Sequence, residues 1–254
     1  MKVTFLGTGT SQGVPLIACS CTVCSSTDSR DKRLRTSVLI QSGDTHAVID
    51  SGPDFRQQML RAGIQHLDAL IFTHGHKDHI AGMDDIRGFN FRMKKAVDVY
   101  CTEAVEQQLH REFAYIFAET RYPGIPEIHL HRIHNDVFFT VRDLRIQPIE
   151  VLHYKLPVLG FRINDFVYIT DANYISPDEM EKIKGCKILV LNALRKEKHV
   201  SHFTLDEALH IIEQVKPKAA YLTHLSHQMG KHEEVERELP NGVYLAYDGL
   251  TLEL

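Results

Sequence analysis

The chain has 254 residues, 43% of them hydrophobic, and a formal net charge of −4. That length and apolar content suffice for one large core and little more, so a single domain over residues 1–254 is expected. The weakly acidic balance, with no basic stripe along any predicted helix, argues against a protein that lives on nucleic acid, and no apolar run approaches the length of a membrane span.

The amino terminus, MKVTFLGTGT, passes from a short strand-like run into glycines, without the apolar region and small-residue cleavage site of a secretory signal. GTGTSQG lacks the Gly-Lys-Ser/Thr ending of a phosphate-binding P-loop. The next segment, PLIACSCTVCSS, sets Cys19, Cys21 and Cys24 within six positions, while Cys101 and Cys186 stand alone. Such spacing makes a poor disulfide framework, which points to the reducing cytoplasm. By itself C-x-C-x-x-C has two readings: three reduced thiols in a loop, or three ligands of a tetrahedral metal site whose fourth ligand lies elsewhere.

Strands TSVLIQS and HAVIDSG follow, then a helix over 53–63 with Pro53 at its start. Strand DALIFTH leads into HGHKDH, which brings His74, His76, Asp78 and His79 into six residues at a strand end. Imidazole and carboxylate are the usual ligands of zinc and related divalent ions, and H-x-H-x-D-H lets the chain turn from strand to helix while aiming alternate side chains into one pocket. Gly75 gives that turn its backbone freedom. Helices are predicted over 79–90 and 103–118, separated by the strand VDVYCT. HLHRIH at 129–134 reads as an exposed strand or turn, and REFAYIF as the packing face of a helix.

From about 137 to 171 the pattern is strand after strand, with a turn at IND, 163–165. A regular doubly wound sheet would not contain that meander, whereas a sheet-on-sheet core with helices outside accommodates it. A helix over 177–184 follows Ser176-Pro177, and the strand KILVLNAL leads to KEKHVSHFTLDEAL, which sets His199 and His202 just before a helix over 204–216. Thr204 and Asp206 fit the start of that helix. Strand AAYLTHL, the segment THLSHQ, a helix over 231–239 and the strand VYLAYDG complete the chain, with no internal repeat, low-complexity segment or linker.

THGHKDH resembles the signature of the metallo-β-lactamase superfamily. The resemblance implies an α/β (α+β) fold, a four-layered αβ/βα sandwich with a binuclear metal site at one edge, and further ligands at downstream strand ends. His153 closes IQPIEVLH, Asp171 closes FVYITD and His224 closes AAYLTH. By that resemblance one metal takes His74, His76 and His153, the other takes Asp78, His79 and His224, and Asp171 bridges. Asp50, closing HAVID, is expected to orient a ligand histidine.

His227, three residues beyond His224, supplies the missing fourth ligand: with the cysteines it makes Cys3His, a closed zinc site joining the loop after the first strand to a loop of the active site. GTGTSQGVPLIACSCTVC together with THLSHQ resembles the PhnP-like phosphoribosyl 1,2-cyclic phosphate phosphodiesterases, a branch that carries such an extra zinc. Two divalent catalytic ions, zinc or manganese, and one structural zinc are therefore expected. The paired ions lower the pKa of bound water so that hydroxide attacks a small phosphodiester, while His202, with His199 as the alternative, protonates the leaving group. An RNase Z-like nuclease and a non-hydrolytic protein of pyrroloquinoline quinone biosynthesis are the competing readings; the acidic charge weighs against the former. A thioesterase, lactonase or glyoxalase would not need the cysteine-bound zinc. A homodimer is compatible with the sequence.

Overall fold

Several strands of this chain are buried along their whole length: neither Ala69–Ile71 nor Phe166–Ile169 has an exposed residue. Strands of that kind belong to sheets covered on both faces. The computed structural model describes residues 1–119 and 122–254 and shows what covers them.

Strands β1 (Lys2–Gly7), β2 (Ser37–Ser42), β3 (Thr45–Ile49), β4 (Ala69–Ile71), β5 (Val97–Cys101) and β6 (Ile128–Arg132) lie side by side in chain order. The meander then builds a second sheet from β7 (Phe139–Val141), β8 (Leu144–His153), β9 (Leu156–Ile163), β10 (Phe166–Ile169), β11 (Tyr174–Ile175), β12 (Ile188–Asn192), β13 (Ala219–Thr223) and β14 (Val243–Leu245). The last strand, β15 (Thr251–Glu253), returns to pair with β1. Among the described residues the sheets have seven and eight strands. β3, β4, β5 and β6 run parallel in the first, and β10, β12, β13 and β14 run parallel in the second.

Three apolar layers separate four structural layers. Between the sheets lie Val3, Phe5, Ile40, Ile71, Phe161 and Tyr168. Outside the first sheet, Leu39, Val48 and Leu70 pack under Phe55 and Met59 of α1 (Phe55–Ala62) and, further along, Ile86 and Leu109. Outside the second, Val167, Leu189 and Leu222 pack under Ala208, Ile212 and Val215 of a late helix. Each large side chain so buried contributes roughly 1.5–3 kcal/mol. The expected αβ/βα sandwich is the observed one.

The helices depart from the sequence reading in instructive ways. The helix expected over 79–90 is broken into α2 (Lys77–Ile80), a 3-10 turn at Met83–Ile86 and α3 (Arg87–Met93). Backbone groups that would continue α2 are taken sideways: Ser51 N–H donates to the His79 carbonyl, and Gly82 N–H donates to the Ser51 carbonyl, each at 2.7 Å. A Cβ on Gly82 would stand 2.2 Å from the Gly52 carbonyl oxygen, so only glycine permits the approach. Likewise the helix expected over 103–118 ends as α4 (Glu103–Glu112) before a 3-10 turn at Ala114–Ile116. α5 (Pro177–Ile183) and α6 (Leu205–Val215) match their start signals; Thr204 caps α6 in a reciprocal capping box with Glu207. α7 (His232–Glu236) is shorter than the expected 231–239. No helix among the described residues is long and apolar enough to cross a membrane.

A buried polar network ties the first loop to the carboxy-terminal segment. The Arg33 guanidinium donates to Thr8 Oγ1, to the Ala246 carbonyl and to His232 Nδ1, while Thr8 donates to Asp248. Burial, with Arg33 and Arg30 beside it, pushes His232 down to about 4. His232 is thus neutral in the folded protein at pH values where the unfolded chain binds a proton. Stability should therefore fall as pH drops from about 6.5 to about 4, by about 3 kcal/mol from this residue, and level off below. Urea unfolding of metal-free protein at several pH values should show a shallower acid decline for His232→Gln than for wild type.

Candidate metal centre

The strand ends named above converge. β4 runs into Thr73 and His74, and α2 carries Asp78 and His79; β8 ends at His153, β10 is followed by Asp171, and β13 is followed by His224. Single donor atoms of His74, His76 and His153 lie within 4.8 Å of one another, as do those of Asp78, His79, Asp171 and His224. A further group of the same compactness joins His153, Asp171 and His202. Asp171 is shared by the second and third of these groups, and His153 by the first and third.

The backbone takes an uncommon form there. Asp50, Asp171 and His224 all have left-handed conformations, at φ 65°, 56° and 57°. Such non-glycine residues are uncommon, and strain of this kind concentrates at functional sites. Asn192 holds one of these turns, its side-chain amide accepting from Ala172 N–H at 2.8 Å and donating to the Ala172 carbonyl at 2.9 Å.

Hydrogen bonds set which ring nitrogens face inward. His79 Nδ1–H donates to Asp50 Oδ2 at 2.7 Å, and His153 Nδ1–H donates to the Ser201 carbonyl at 2.8 Å, which frees Nε2 of each for the centre. Thr73 donates from its backbone N–H and hydroxyl to Asp50, and the same hydroxyl lies 3.0 Å from His74 Nδ1. Asp50 thus orients His79 directly and His74 through Thr73, as the sequence suggested in outline.

Burial pushes Asp50 above the usual carboxylate range. Burial would do the same to Asp171, yet His224 and His79 hold it well below that range. Against their own burial, Asp171 and Asp78 raise His79 well above the ordinary imidazole value, and they raise His224 to about 9. Burial and the neighbouring His79 drive His74 down; burial and His224 drive His202 down to about 2.

Divalent cations fit this donor set, because several buried nitrogens of its histidines have no hydrogen-bond partner: His79 Nε2, His202 Nδ1 and both ring nitrogens of His224, of which Nε2 faces Asp78 and Asp171. Orphaned buried donors and acceptors are costly unless something else satisfies them. Of the two candidate acids, His202 belongs to the cluster, with Nδ1 3.8 Å from Asp171 Oδ1. His199 lies outside it, half-buried, its Nδ1 3.3 Å from the Ser201 hydroxyl.

The second donor set also assembles. Cys19, Cys21, Cys24 and His227 present donor atoms within 4.8 Å of one another, with His227 Nδ1 3.3 Å from Cys21 Sγ and 3.5 Å from Cys19 Sγ. The Cys24 backbone N–H and His227 draw the Cys21 thiol down to about 6, while burial raises Cys24 to about 11. Between His224 and His227, Leu225 is clamped to the first loop: its N–H donates to the Thr8 carbonyl and its carbonyl accepts from Thr10 N–H.

The sequence reading missed two supporting residues. Asn192 closes the apolar strand KILVLN, the same strand-end signal that marked His153 and His224. Gly52 had no signal: a Cβ there would stand 2.0 Å from the Asp78 carbonyl oxygen.

A four-layered sandwich whose strand ends gather buried histidines and aspartates defines a metal-binding protein of the metallo-β-lactamase fold. Residues 45–225 match the family described as the beta-lactamase superfamily domain. A crystal structure of a diphosphatase from the PhnP family shares 42% identity with the chain, covering all of it and 97% of that chain, with a TM-score of 0.93. An octanoyltransferase of Porphyromonas gingivalis is 40% identical over 252 residues, 98% of this chain; the chain spans only 51% of that protein's length. Zinc-bound PqqB from Methylobacterium extorquens shares the fold, with a TM-score of 0.80 at 19% identity over the whole of both chains. The chain belongs to the beta-lactamase superfamily and has the metallo-β-lactamase fold, with the PhnP-family diphosphatase among its relatives.

Two substitutions separate the donor sets. Gly52→Ala should push Asp78 out of place and lower metal content at the histidine–aspartate centre, measured by elemental analysis, without touching any donor side chain. Cys21→Ser should remove about one zinc per chain and lower Tm while leaving the histidine–aspartate donors chemically intact. Unchanged zinc and Tm would show that the cysteine cluster holds nothing.

Proposed function

We propose that the protein is a metal-dependent phosphodiesterase acting on small phosphodiesters, cyclic ones among them, with a separate Cys3His zinc. The observation that carries this reading is the gathering of three donor groups joined through Asp171 and His153, with His202 among them. In it, His74, His76 and His153 would hold one cation and Asp78, His79 and His224 the other, with Asp171 available to both. When bound, such a pair would supply Lewis acidity and would bring the pKa of a water molecule toward neutrality.

The protein's own residues do the rest. Asp50 keeps the His79 proton on Nδ1, so that Nε2 stays available to the centre. His202 stands where a leaving oxygen would emerge. Held low by burial and His224, it is neutral before substrate arrives. As the acid of this reading, His202 must carry a proton when the leaving oxygen departs, and the negative charge of a bound phosphodiester favours that form.

The diphosphatase relative at 42% identity adds diphosphate linkages to the substrates worth testing. Zinc or manganese in the catalytic pair, a cytoplasmic location and a homodimer remain parts of this reading that rest on the sequence.

Elemental analysis after reconstitution should find about three metals per chain, one of them resistant to mild chelation; at most one would sink the reading. Asp78→Ala should lose metal and nearly all hydrolysis. His202→Ala should keep both catalytic ions yet lose roughly 10²–10⁴-fold in rate on substrates with poor leaving groups, and far less on an activated aryl phosphodiester. Equal losses on both would remove His202 as the acid and bring His199 forward. A fall in metal content would make His202 a ligand, with His153 and Asp171.

A further inference from the structure

Three of the donors form a unit of their own on loops of the second sheet. His153 ends β8, Asp171 follows β10, and His202 lies in the loop between β12 and α6. Each presents one donor atom within 4.8 Å of the other two. Hydrogen bonds lock these loops together: His153 Nδ1–H donates to the Ser201 carbonyl at 2.8 Å, and Phe203 N–H donates to the Ala172 carbonyl at 2.8 Å. The residues on either side of His202 are thus tied to His153 and to the neighbour of Asp171. Donors held in place before an ion arrives spend little free energy in gathering around it.

The geometry draws His153 toward this unit. Its ring centroid lies 4.6 Å from that of His202, against 5.1 Å from His76 and 5.7 Å from His74. His202 is only 8% exposed, and its Nδ1, 3.8 Å from Asp171 Oδ1, has no hydrogen-bond partner among the described residues. His76, by contrast, is exposed, and its Nδ1 lies 3.0 Å from His74 Nε2, so those two nitrogens can satisfy one another. A buried nitrogen left unpaired beside a carboxylate oxygen and a second imidazole marks a place for a cation. Because His153 Nδ1 is spent on Ser201, one nitrogen remains to it. It can serve the group with His74 and His76 or the group with Asp171 and His202, but not both at once.

The two groups differ in chemistry. One is three imidazoles; the other is two imidazoles and a carboxylate. Imidazole suits zinc, whereas carboxylate oxygen suits manganese and other harder ions. A carboxylate has two oxygens to offer, so Asp171 can serve such an ion together with the one held by Asp78, His79 and His224.

We propose that His153, Asp171 and His202 form an alternative seat for the second cation, taken by harder divalent ions such as manganese, while zinc takes His74, His76 and His153. Metal identity then decides what His202 does: zinc leaves it free to act as the acid, and manganese claims it as a ligand. Retention of both ions by His202→Ala is accordingly the expectation for zinc-loaded protein. This inference rests on the reading that the centre holds a pair of cations.

The test measures metal alone. Wild type, His76→Ala and His202→Ala, each stripped of ions at the histidine–aspartate centre, are titrated with zinc or with manganese by equilibrium dialysis and elemental analysis. His202→Ala should weaken binding of the second manganese at least about tenfold and leave the second zinc within about threefold, since losing even a partner that only orients a ligand costs roughly 10–100-fold in affinity. His76→Ala should do the reverse. Both variants should keep the far-UV circular dichroism of wild type; where one does not fold, the other still decides, because each is expected to lose one ion and keep the other. Variants that weaken both ions alike, or a His202→Ala protein that binds both as wild type does, would overturn the inference. A wild type that takes a second zinc but no second manganese would overturn it alone; a wild type that takes only one ion of either kind at this centre would overturn the paired-cation reading as well.

Discussion

An ionised carboxylate shut away from water must be matched by positive charge, and Asp171 sets that requirement at the heart of this molecule. His224 Nε2 lies 3.1 Å away and His79 Nε2 3.2 Å away. Without a cation those imidazoles hold protons to balance Asp171 and Asp78, which is why both are raised against their burial. A divalent ion would replace those protons and satisfy the same nitrogens. The centre is therefore built to hold positive charge in one form or the other, and the left-handed turns at Asp50, Asp171 and His224 are strain tolerated to bring the donors together.

The two sheets share in this arrangement. Asp50, His74, His76, Asp78 and His79 follow strands of the first sheet, whereas His153, Asp171 and His224 follow strands of the second. Neither the His74, His76 and His153 group nor the Asp78, His79, Asp171 and His224 group comes from one sheet alone. Beneath the centre a chain of hydroxyls crosses between them: Thr36 Oγ1 lies 3.2 Å from both Tyr168 Oη and Thr223 Oγ1, all buried. The apolar layer between the sheets thus fixes the relative position of donors separated by many residues of sequence.

The parts of this arrangement that could be read from the sequence were those with a local pattern. H-x-H-x-D-H after an apolar strand marked the first donors by itself, whereas His153, Asp171 and His224 were picked out by the resemblance to the metallo-β-lactamase superfamily, which implies ligands at downstream strand ends. The meander from 137 to 171, strand after strand, revealed the second sheet. What escaped depended on contacts across the fold. The break after α2 arises from Ser51, which competes for backbone bonds, and from Gly82, which lies against Gly52; nothing near residue 82 announces either. The ordering role of Asn192 could have been inferred, because it obeys the strand-end rule applied to its neighbours.

Leu225 stands between a residue of each donor cluster and is pinned on both sides to Thr8 and Thr10. Two binding events that share one rigid segment are thermodynamically linked: whatever free energy the first spends or saves in ordering the segment, the second feels equally and in return. Filling the cysteine cluster would therefore tighten the hold of His224 on its ion, and filling the histidine–aspartate centre would tighten the hold of His227 on zinc. Such reciprocity would couple the occupancy of two chemically different sites through a single residue.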